Sequence, residues 1–225
     1  MVWQIAPTIE QQATYLEDSY LTEVVTRVVA VEDSGSRIAV RENVFHPQGG
    51  GQPADRGWVG EWPGSPVRGD DGLVYLVASE PTELSEGDVV RARVDAELRL
   101  LHAALHTAGH VVDGVARAEG WIWAGNSHFP GQARIEFTSP DPVELAGAAE
   151  RIQAGVDAAI AADLPVTAVA NAGHRVVRVG DLHEEPCGGT HVRSLASLAT
   201  VTITGVKVKK GRVRVSYTAT HRPLR

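Results

Sequence analysis

The sequence predicts an α+β protein in which a small β-barrel-like domain packs on a second domain of mixed helices and strands. Two observations favour this class. Before residue 95, short segments with the two-residue apolar alternation of strands are separated by Gly, Pro and Asp clusters. After Asp95 the apolar period changes to three and four residues, which is typical of a helix. We therefore expect residues 1–94 to form the barrel-like domain and residues 95–225 to form the mixed domain.

The first domain is predicted to hold five strands. Turn-forming residues separate them, beginning with the turn Asp33–Ser36. The predicted strands are Leu21–Val31, Arg37–Val44, Trp58–Gly60, Leu73–Val77 and Val89–Val94. Several short strands at this spacing favour a barrel or a barrel-like sheet.

The second domain is predicted to begin with a helix that Asp95 caps and that starts near Ala96. An alanine-rich segment with helical spacing, Asp141–Ala162, predicts a second helix. The predicted strands are Trp121–Trp123, Ala133–Phe137, Val166–Ala170, His174–Val179, Thr200–Val208 and Gly211–Thr218. Lys210 and Gly211 are expected to form the hairpin turn between the last two.

Composition limits the cellular setting. No apolar run approaches the roughly 18 residues that cross a bilayer, and the N-terminus lacks the basic and apolar parts of a signal peptide. Cys187 is the single cysteine, so no disulfide can form within the chain. We expect a cytoplasmic protein with no membrane partner.

Charge argues against general nucleic-acid binding but leaves room for a localised contact. The formal net charge of -7 argues against a general nucleic-acid coat, which is usually basic. Basic residues nevertheless cluster near the end of the chain, namely Lys207, Lys209, Lys210, Arg212, Arg214, Arg222 and Arg225. This cluster is either a solvated strand pair or a phosphate-binding surface, with Arg175 and Arg178 as its potential neighbours.

The first predicted helix carries three histidines at four-residue intervals, His102, His106 and His110. Residues four apart share a helix face, so two imidazoles at this spacing can bind one metal ion. The outer two are about 12 Å apart along the axis, which excludes a site that uses all three. The alternative is a polar helix surface without a metal.

The segment Cys187–His191, CGGTH, contains a second pair of potential ligands. Its glycines let the backbone turn tightly, so that a thiolate and an imidazole can converge without a helix. A histidine pair together with Cys187 and His191 supplies the nitrogen and sulfur ligands that suit tetrahedral zinc. Taken alone, the segment could be an ordinary glycine turn, but the two clusters together indicate zinc.

At these motifs the sequence resembles the alanyl-tRNA synthetase editing domain and its free-standing relatives. His106–His110 (HTAGH) and Cys187–Val192 (CGGTHV) are similar to the two metal motifs of that family. Three further segments are similar to family segments, namely Phe45–Gly57, Ala133–Phe137 and Arg178–Leu182. The resemblance extends roughly from Tyr15 to Tyr217 and implies an editing-type fold for the second domain.

The resemblance implies one Zn²⁺ ion bound by His106, His110, Cys187 and His191, with His102 outside the ligand set. It also implies hydrolysis of the ester that joins a wrong amino acid, serine or glycine, to tRNA(Ala). The protein would act in trans on mischarged tRNA(Ala) as a monomer or weak homodimer. The predicted tRNA contacts are Lys207, Lys209, Lys210 and Arg212.

The glycine-rich segment is expected to form a wall of the substrate pocket. Gly49, Gly50 and Gly51 permit close backbone approach and can present amide groups to a ligand oxygen, with Asp55 nearby in sequence. Gln52 is a candidate for recognising a serine hydroxyl, and Thr107, between the two helical ligands, for steering a water molecule or the substrate amine. The alternatives are an ordinary loop between strands and a threonine hydroxyl bonded to its own helix.

Three residues differ from those usual in the family. His46 replaces a frequent tyrosine, Gly109 replaces a larger apolar residue, and Glu136 replaces the usual aspartate. A mid-helix glycine costs on the order of 1 kcal/mol relative to alanine. The first two departures permit an altered pocket.

The number of predicted zinc ligands leaves the role of the metal open. Four protein ligands are one more than catalytic zinc usually has. Either one ligand leaves, or the metal becomes five-coordinate, or zinc mainly orients the substrate.

Two other functions also stay open at this point. The chain could be a non-catalytic zinc-containing tRNA-binding module, or a specialised hydrolase or transferase that acts on another aminoacyl-tRNA.

Overall fold

The computed structural model describes residues 10–140, 144–171 and 174–224. Residues 1–9 of the predicted first domain, residues 141–143 of the predicted second helix and Arg225 lie outside this part. The chain divides into two compact units, Met1–Pro47 with Ala54–Asp95 and Gln48–Pro53 with Ala96–Arg225. The glycine-rich segment was predicted to belong to the first domain, whereas Gln48–Pro53 groups with the second unit.

The first unit contains a closed six-stranded barrel, which confirms the predicted barrel-like architecture. The barrel order is β2-β3-β7-β6-β5-β8, and all these pairings are antiparallel. The elements of this unit are β1 (Gln12–Ala13), α1 (Thr14–Glu17), β2 (Glu23–Glu32), β3 (Arg37–Val40), β4 (Glu42–Asn43), β5 (Gly57–Val59), β6 (Trp62–Arg68), β7 (Val74–Ala78) and β8 (Val89–Val94). Inward-facing residues such as Ile38, Val40 and Leu76 form its core.

The barrel differs from the prediction in two places. β6 was not predicted, because its sequence WPGSPVR contains two prolines, which cannot donate to a strand ladder. It nevertheless pairs with β5 on one side and β7 on the other. The predicted strand Arg37–Val44 is interrupted at Arg41, after which β4 leaves the barrel and pairs in parallel with β1.

The second unit contains a four-stranded antiparallel sheet with the order β14-β15-β10-β9, and a three-stranded sheet with the order β11-β12-β13. Its elements are α2 (Ala96–Ala116), β9 (Ile122–Ser127), β10 (Arg134–Thr138), α3 (Ala148–Ala161), β11 (Val166–Asn171), β12 (His174–Val179), β13 (His183–Pro186), β14 (Leu198–Lys209) and β15 (Arg212–His221). Both long helices contact the four-stranded sheet, and Leu105, Phe137, Ile152 and Val215 lie in the shared core.

The second helix is shorter than predicted. α3 begins at Ala148 and not at Asp141, because Gly147 precedes it in the left-handed conformation, with φ 70°. Arg151 reaches back to the Ala146 carbonyl and holds this turn in place. β13, only four residues long, was missed because HEEP shows no apolar alternation. Within the described residues, no helix is both long enough and apolar enough to cross a membrane.

Candidate metal centre

Helix α2 presents two of the predicted ligands. It begins directly after Asp95, as predicted, and runs for 21 residues. His106 and His110 are each about 2% exposed, and their ring centroids are 5.2 Å apart. The surface-histidine alternative is therefore wrong, since both rings are buried. His102, one turn earlier, is also buried but does not belong to the cluster of potential ligands.

The segment after β13 brings the other two predicted ligands to the same place. Arg175 on β12 holds this segment, because its guanidinium donates to the carbonyls of Cys187 and Gly189 over 2.8 and 3.0 Å. The Cys187 amide in turn donates to the Arg175 carbonyl over 3.0 Å. Arg175 is thus a support of the CGGTH segment, which sequence reasoning did not anticipate.

The four potential ligand atoms converge. One ligand atom from each of His106, His110, Cys187 and His191 lies within 4.8 Å of the others. The Cys187 sulfur is 3.4 Å from Nε2 of His106 and 3.2 Å from Nε2 of His191. Tetrahedral zinc with ordinary bond lengths separates a sulfur and a nitrogen ligand by about 3.5 Å. The spacing of these donors therefore fits one zinc-sized ion.

Unsatisfied atoms support the same conclusion. Both ring nitrogens of His110 are buried and have no hydrogen-bond partner among the described residues. Burial lowers the pKa of His110 to about 3, which leaves the ring neutral and its lone pair available. Burial also raises the pKa of the Cys187 thiol to about 11. A bound cation would satisfy both groups, because it takes a neutral imidazole and stabilises a thiolate.

Two neighbouring side chains orient the ligand rings. The Gln52 side-chain oxygen accepts a hydrogen bond from the Thr190 amide over 3.0 Å and lies 2.8 Å from Nδ1 of His106. An oxygen acceptor there favours a proton on Nδ1, which leaves Nε2 free to bind a metal. The Thr107 hydroxyl lies 3.2 Å from Nδ1 of His191 and accepts from the Val192 amide over 3.1 Å.

The glycines of CGGTH work differently from the prediction. Neither one has a positive φ, so neither supplies the special turn conformation. Gly189 is needed because the His106 ring lies against it, and a Cβ at this position would come within 2.1 Å of that ring. A Cβ at Gly188 would meet nothing within 4 Å. Close approach is therefore the requirement, and it applies to one glycine only.

The glycine-rich segment forms a tight turn beside the same cluster. Gly49 and Gln52 exchange backbone hydrogen bonds of 2.9 and 3.1 Å, while Gly50 and Gly51 take positive φ values of 56° and 81°. The Gly49 amide is thus already bonded within the turn. The Gly51 carbonyl accepts from the His128 amide, which ties the turn to the chain after β9.

Asp55 and His46 belong to the first unit. The Asp55 carboxylate accepts from the His46 amide over 2.6 Å, and the Asp55 amide donates to the His46 carbonyl. The His46 ring packs edge-on against Tyr15, with a centroid distance of 5.5 Å. The contacts of these two residues close a loop. A ligand-binding role of Asp55 stays a prediction.

A carboxylate lies beside the helical ligand His110. Glu185 Oε1 is 3.5 Å from Nε2 of His110 and 3.6 Å from Nε2 of His183. The same His183 nitrogen lies 3.6 Å from the carboxylate of Asp113. Sequence reasoning missed His183 and Asp113. Two sequence features could have identified them, namely the three-residue step from His110 to Asp113 on the helix and the alternation of His183 with Glu185. This negative charge favours a cation at the neighbouring centre.

His128 was also missed. Its ring stacks on His106 with a centroid distance of 4.2 Å and an interplanar angle of 21°. Burial lowers the pKa of His128 to about 4, so the ring is neutral near pH 7. No regular spacing links His128 to the other histidines, and only the folded chain reveals its position.

The predicted tRNA-binding residues lie on the β14–β15 hairpin. Lys207 pairs with Arg214 and Lys209 with Arg212, and Lys210 and Gly211 form the predicted turn. The inward neighbours Val213 and Val215 are buried, so these cations occupy the outer face of the sheet. We call this the basic face; it comprises Arg134, Lys207, Lys209, Lys210, Arg212 and Arg214.

Glu136 lies within the basic face. It contacts three arginines, Arg134, Arg212 and Arg214, at distances of 2.6 to 3.3 Å. Hydrogen bonds from Arg134 first, and then from Arg214 and Arg212, hold its pKa below the usual range of a carboxyl group despite partial burial. Arg178 lies on β12, in the other sheet, and pairs with Glu184 over 2.6 Å.

Comparison with known proteins assigns the family. Residues 174–216 match the second additional domain of threonyl and alanyl tRNA synthetases. The chain is 29% identical to the alanyl-tRNA editing protein AlaX-M of Pyrococcus horikoshii over 189 residues, which cover 82% of this chain and 86% of that protein. It is 28% identical to AlaX-M of Saccharolobus solfataricus over 230 residues, 91% of this chain and 97% of that protein.

Longer relatives match over part of their length. The chain is 25% identical to the editing protein AlaX-L of Pyrococcus horikoshii, of which it spans 59%. It is 30% identical to the alanine–tRNA ligase of Caldivirga maquilingensis over 254 residues, which cover 96% of this chain but 27% of the ligase. Taken with the two motifs and their convergence, these matches show that the chain belongs to the family of alanyl-tRNA editing proteins.

Proposed function

We propose that this protein hydrolyses the ester bond between a wrong amino acid and tRNA(Ala), acting in trans, with Ser-tRNA(Ala) as its main substrate and Gly-tRNA(Ala) as a second one. The observation that carries the proposal is the convergence of His106, His110, Cys187 and His191 in a relative of proteins named for alanyl-tRNA editing. Zinc is the metal that this donor set suits best.

The residues around the centre each have a task in this reaction. When bound, a zinc ion supplies a Lewis acid that assists the attack of water on an ester. His106, His110, Cys187 and His191 would hold the ion. Gln52 and Thr107 keep two of the rings in the orientation that binding needs, which differs from the direct contact with substrate predicted for both.

The basic face is proposed to bind the phosphates of the tRNA. Its cations outnumber the single carboxylate of Glu136 within it, so a net positive charge remains on the outer face of the sheet. The three lysines in this face are the only lysines of the chain. This concentration of positive charge is the support for a nucleic-acid contact in a protein whose net charge is -7.

Deacylation of charged tRNA tests the proposal. Purified protein loaded with zinc should release serine from Ser-tRNA(Ala) and leave Ala-tRNA(Ala) intact, and a chelator should abolish the release. Failure to release any amino acid from mischarged tRNA(Ala), although zinc is bound and tRNA binds, would favour a non-catalytic tRNA-binding module. Release from other charged tRNAs alone would favour a specialised hydrolase.

A further inference from the structure

A hydrogen-bonded chain fixes the tautomer of His128. The Tyr217 hydroxyl donates to the Leu105 carbonyl over 3.0 Å, so its proton is already committed. Its oxygen also lies 2.7 Å from Nδ1 of His128. Since the hydroxyl can only accept at this second contact, Nδ1 of His128 must carry a proton and donate it. In the neutral ring, this tautomer leaves a lone pair on Nε2, which makes it a hydrogen-bond acceptor.

Packing holds the His128 ring in one position. One of its faces stacks on the ring of His106. A Cβ at Gly109 would come within 2.4 Å of the His128 ring and 2.6 Å of the Tyr217 hydroxyl. Gly109, one of the three residues that differ from those usual in the family, therefore leaves the room that this pair occupies.

Nε2 of His128 is not fully enclosed by the protein. It makes no hydrogen bond among the described residues. It is also not one of the side-chain nitrogens that are fully buried without a partner. It therefore keeps some accessible surface, although the whole residue is only 1% exposed. A fixed, nearly buried acceptor next to the candidate metal centre is suited to one hydrogen-bond donor of a bound ligand.

We propose that Nε2 of His128 accepts a hydrogen bond from the side-chain hydroxyl of the aminoacyl group and so favours seryl over alanyl esters. This inference rests on the proposed editing function. Alanine offers no donor at this position, so binding its ester would leave the acceptor without a partner. The ammonium group does not serve this purpose, because serine and alanine share it. The contact should contribute on the order of 10- to 100-fold to discrimination.

Two substitutions at His128 separate the two ring nitrogens. In His128→Asn, the amide can replace Nδ1 opposite Tyr217, but no atom reaches the Nε2 position. In His128→Gln, the longer amide reaches the Nε2 position. We expect His128→Asn to slow the release of serine from Ser-tRNA(Ala) about 10- to 100-fold in single-turnover assays, with an unchanged slow rate on Ala-tRNA(Ala) and unchanged zinc content. His128→Gln should keep more of the preference.

A second measurement uses the wild-type protein and needs no turnover. A stable adenosine analogue that carries a seryl amide should shift the ¹⁵N resonance of His128 Nε2 toward a hydrogen-bonded value, whereas the alanyl analogue should not. Equal shifts with both analogues, or an unchanged serine preference in His128→Asn, would overturn this inference alone. A parallel loss of both rates with loss of zinc would also overturn it, since His128 would then only support His106. No release of serine by the wild-type protein would overturn the proposed function and this inference together.

Discussion

The side-chain oxygen of Gln52 lies 2.8 Å from Nδ1 of His106, and the same oxygen accepts the Thr190 amide. Gln52 is completely buried, and its side chain supports the His106 ring on the side opposite Nε2. Gln52→Ala should therefore weaken zinc binding by about 10- to 100-fold, the usual effect of losing such a support. It should also destabilise the protein by about 1–3 kcal/mol, because the Thr190 amide loses its partner. Competition with a zinc chelator and denaturant unfolding measure the two effects.

Gln52→Glu is the matched control, because it keeps an oxygen that can accept from His106. Its zinc affinity should lie closer to that of the wild type. The role predicted for Gln52 from the sequence is substrate recognition instead. A Gln52→Ala protein with normal zinc affinity and a reduced preference for serine over alanine esters would favour that assignment over ours.

Gly189 and Gly188 form a second matched pair. A Cβ at Gly189 would overlap the His106 ring, so Gly189→Ala should displace that ring and remove most of the bound zinc and the deacylase activity. Gly188→Ala should leave both near wild type, since a Cβ there meets nothing within 4 Å and its φ is not positive. Metal analysis after gel filtration and a deacylation assay distinguish the variants. Similar zinc content in both would mean that His106 is not a ligand.

The histidine stripe of α2 gives a further test. His106→Ala removes one of four donors and should lose most of the zinc. His102→Ala removes a buried histidine one turn earlier, outside the donor cluster, and should keep one zinc ion per folded chain. Zinc-to-protein ratios of the folded fractions provide the measurement. The ligand assignment would fail if His106→Ala kept its zinc or if His102→Ala lost it.

The convergence of the four potential metal ligands could be predicted from sequence because local geometry constrains it. The four-residue step of His106 and His110 puts both on one helix face, and the CGGTH segment places Cys187 and His191 close together. The supporting contacts could not be predicted. Gln52 is 54 residues from His106 in the chain, and only the fold brings them together. The same is true of the bond between His128 and Tyr217.

The elements of the fold were likewise predicted where the sequence pattern is regular and missed where contacts in the folded chain decide. Regular apolar alternation predicted β8 with its observed bounds, Val89–Val94. β6 was missed because its prolines contradict the usual strand composition, although barrel closure makes the strand necessary. The predicted start of α3 was wrong, because the alanine-rich sequence shows helical spacing across the turn that ends at the left-handed Gly147. Tertiary pairing and special backbone conformations therefore account for the errors.

Glu136 predicts a pH dependence of stability. Its arginine partners lower the pKa of the carboxyl group in the folded protein, so the carboxylate stabilises the fold above the unfolded-state pKa. This contribution is lost as the pH falls through the lower folded-state value. The wild type should therefore have a higher melting temperature than Glu136→Gln near neutral pH, and the difference should shrink below about pH 4.5. Thermal unfolding at several values from about pH 3 to about pH 7, on both sides of the carboxyl titration, tests this, and a constant difference would contradict it.

The β14–β15 hairpin contains every lysine of the chain, so both mutation and lysine chemistry report on the basic face alone. Changing Lys207, Lys209 and Lys210 to Ala should weaken tRNA binding and flatten its salt dependence, because each lost phosphate contact removes about 0.7–0.9 from the slope of log affinity against log salt. Bound tRNA should likewise protect the lysines from acylation. A control that replaces three exposed arginines of the first unit, Arg41, Arg68 and Arg91, changes the net charge equally. If that control flattens the slope as much as the lysine variant does, or if tRNA leaves the lysines reactive, the basic face is not the tRNA-binding surface.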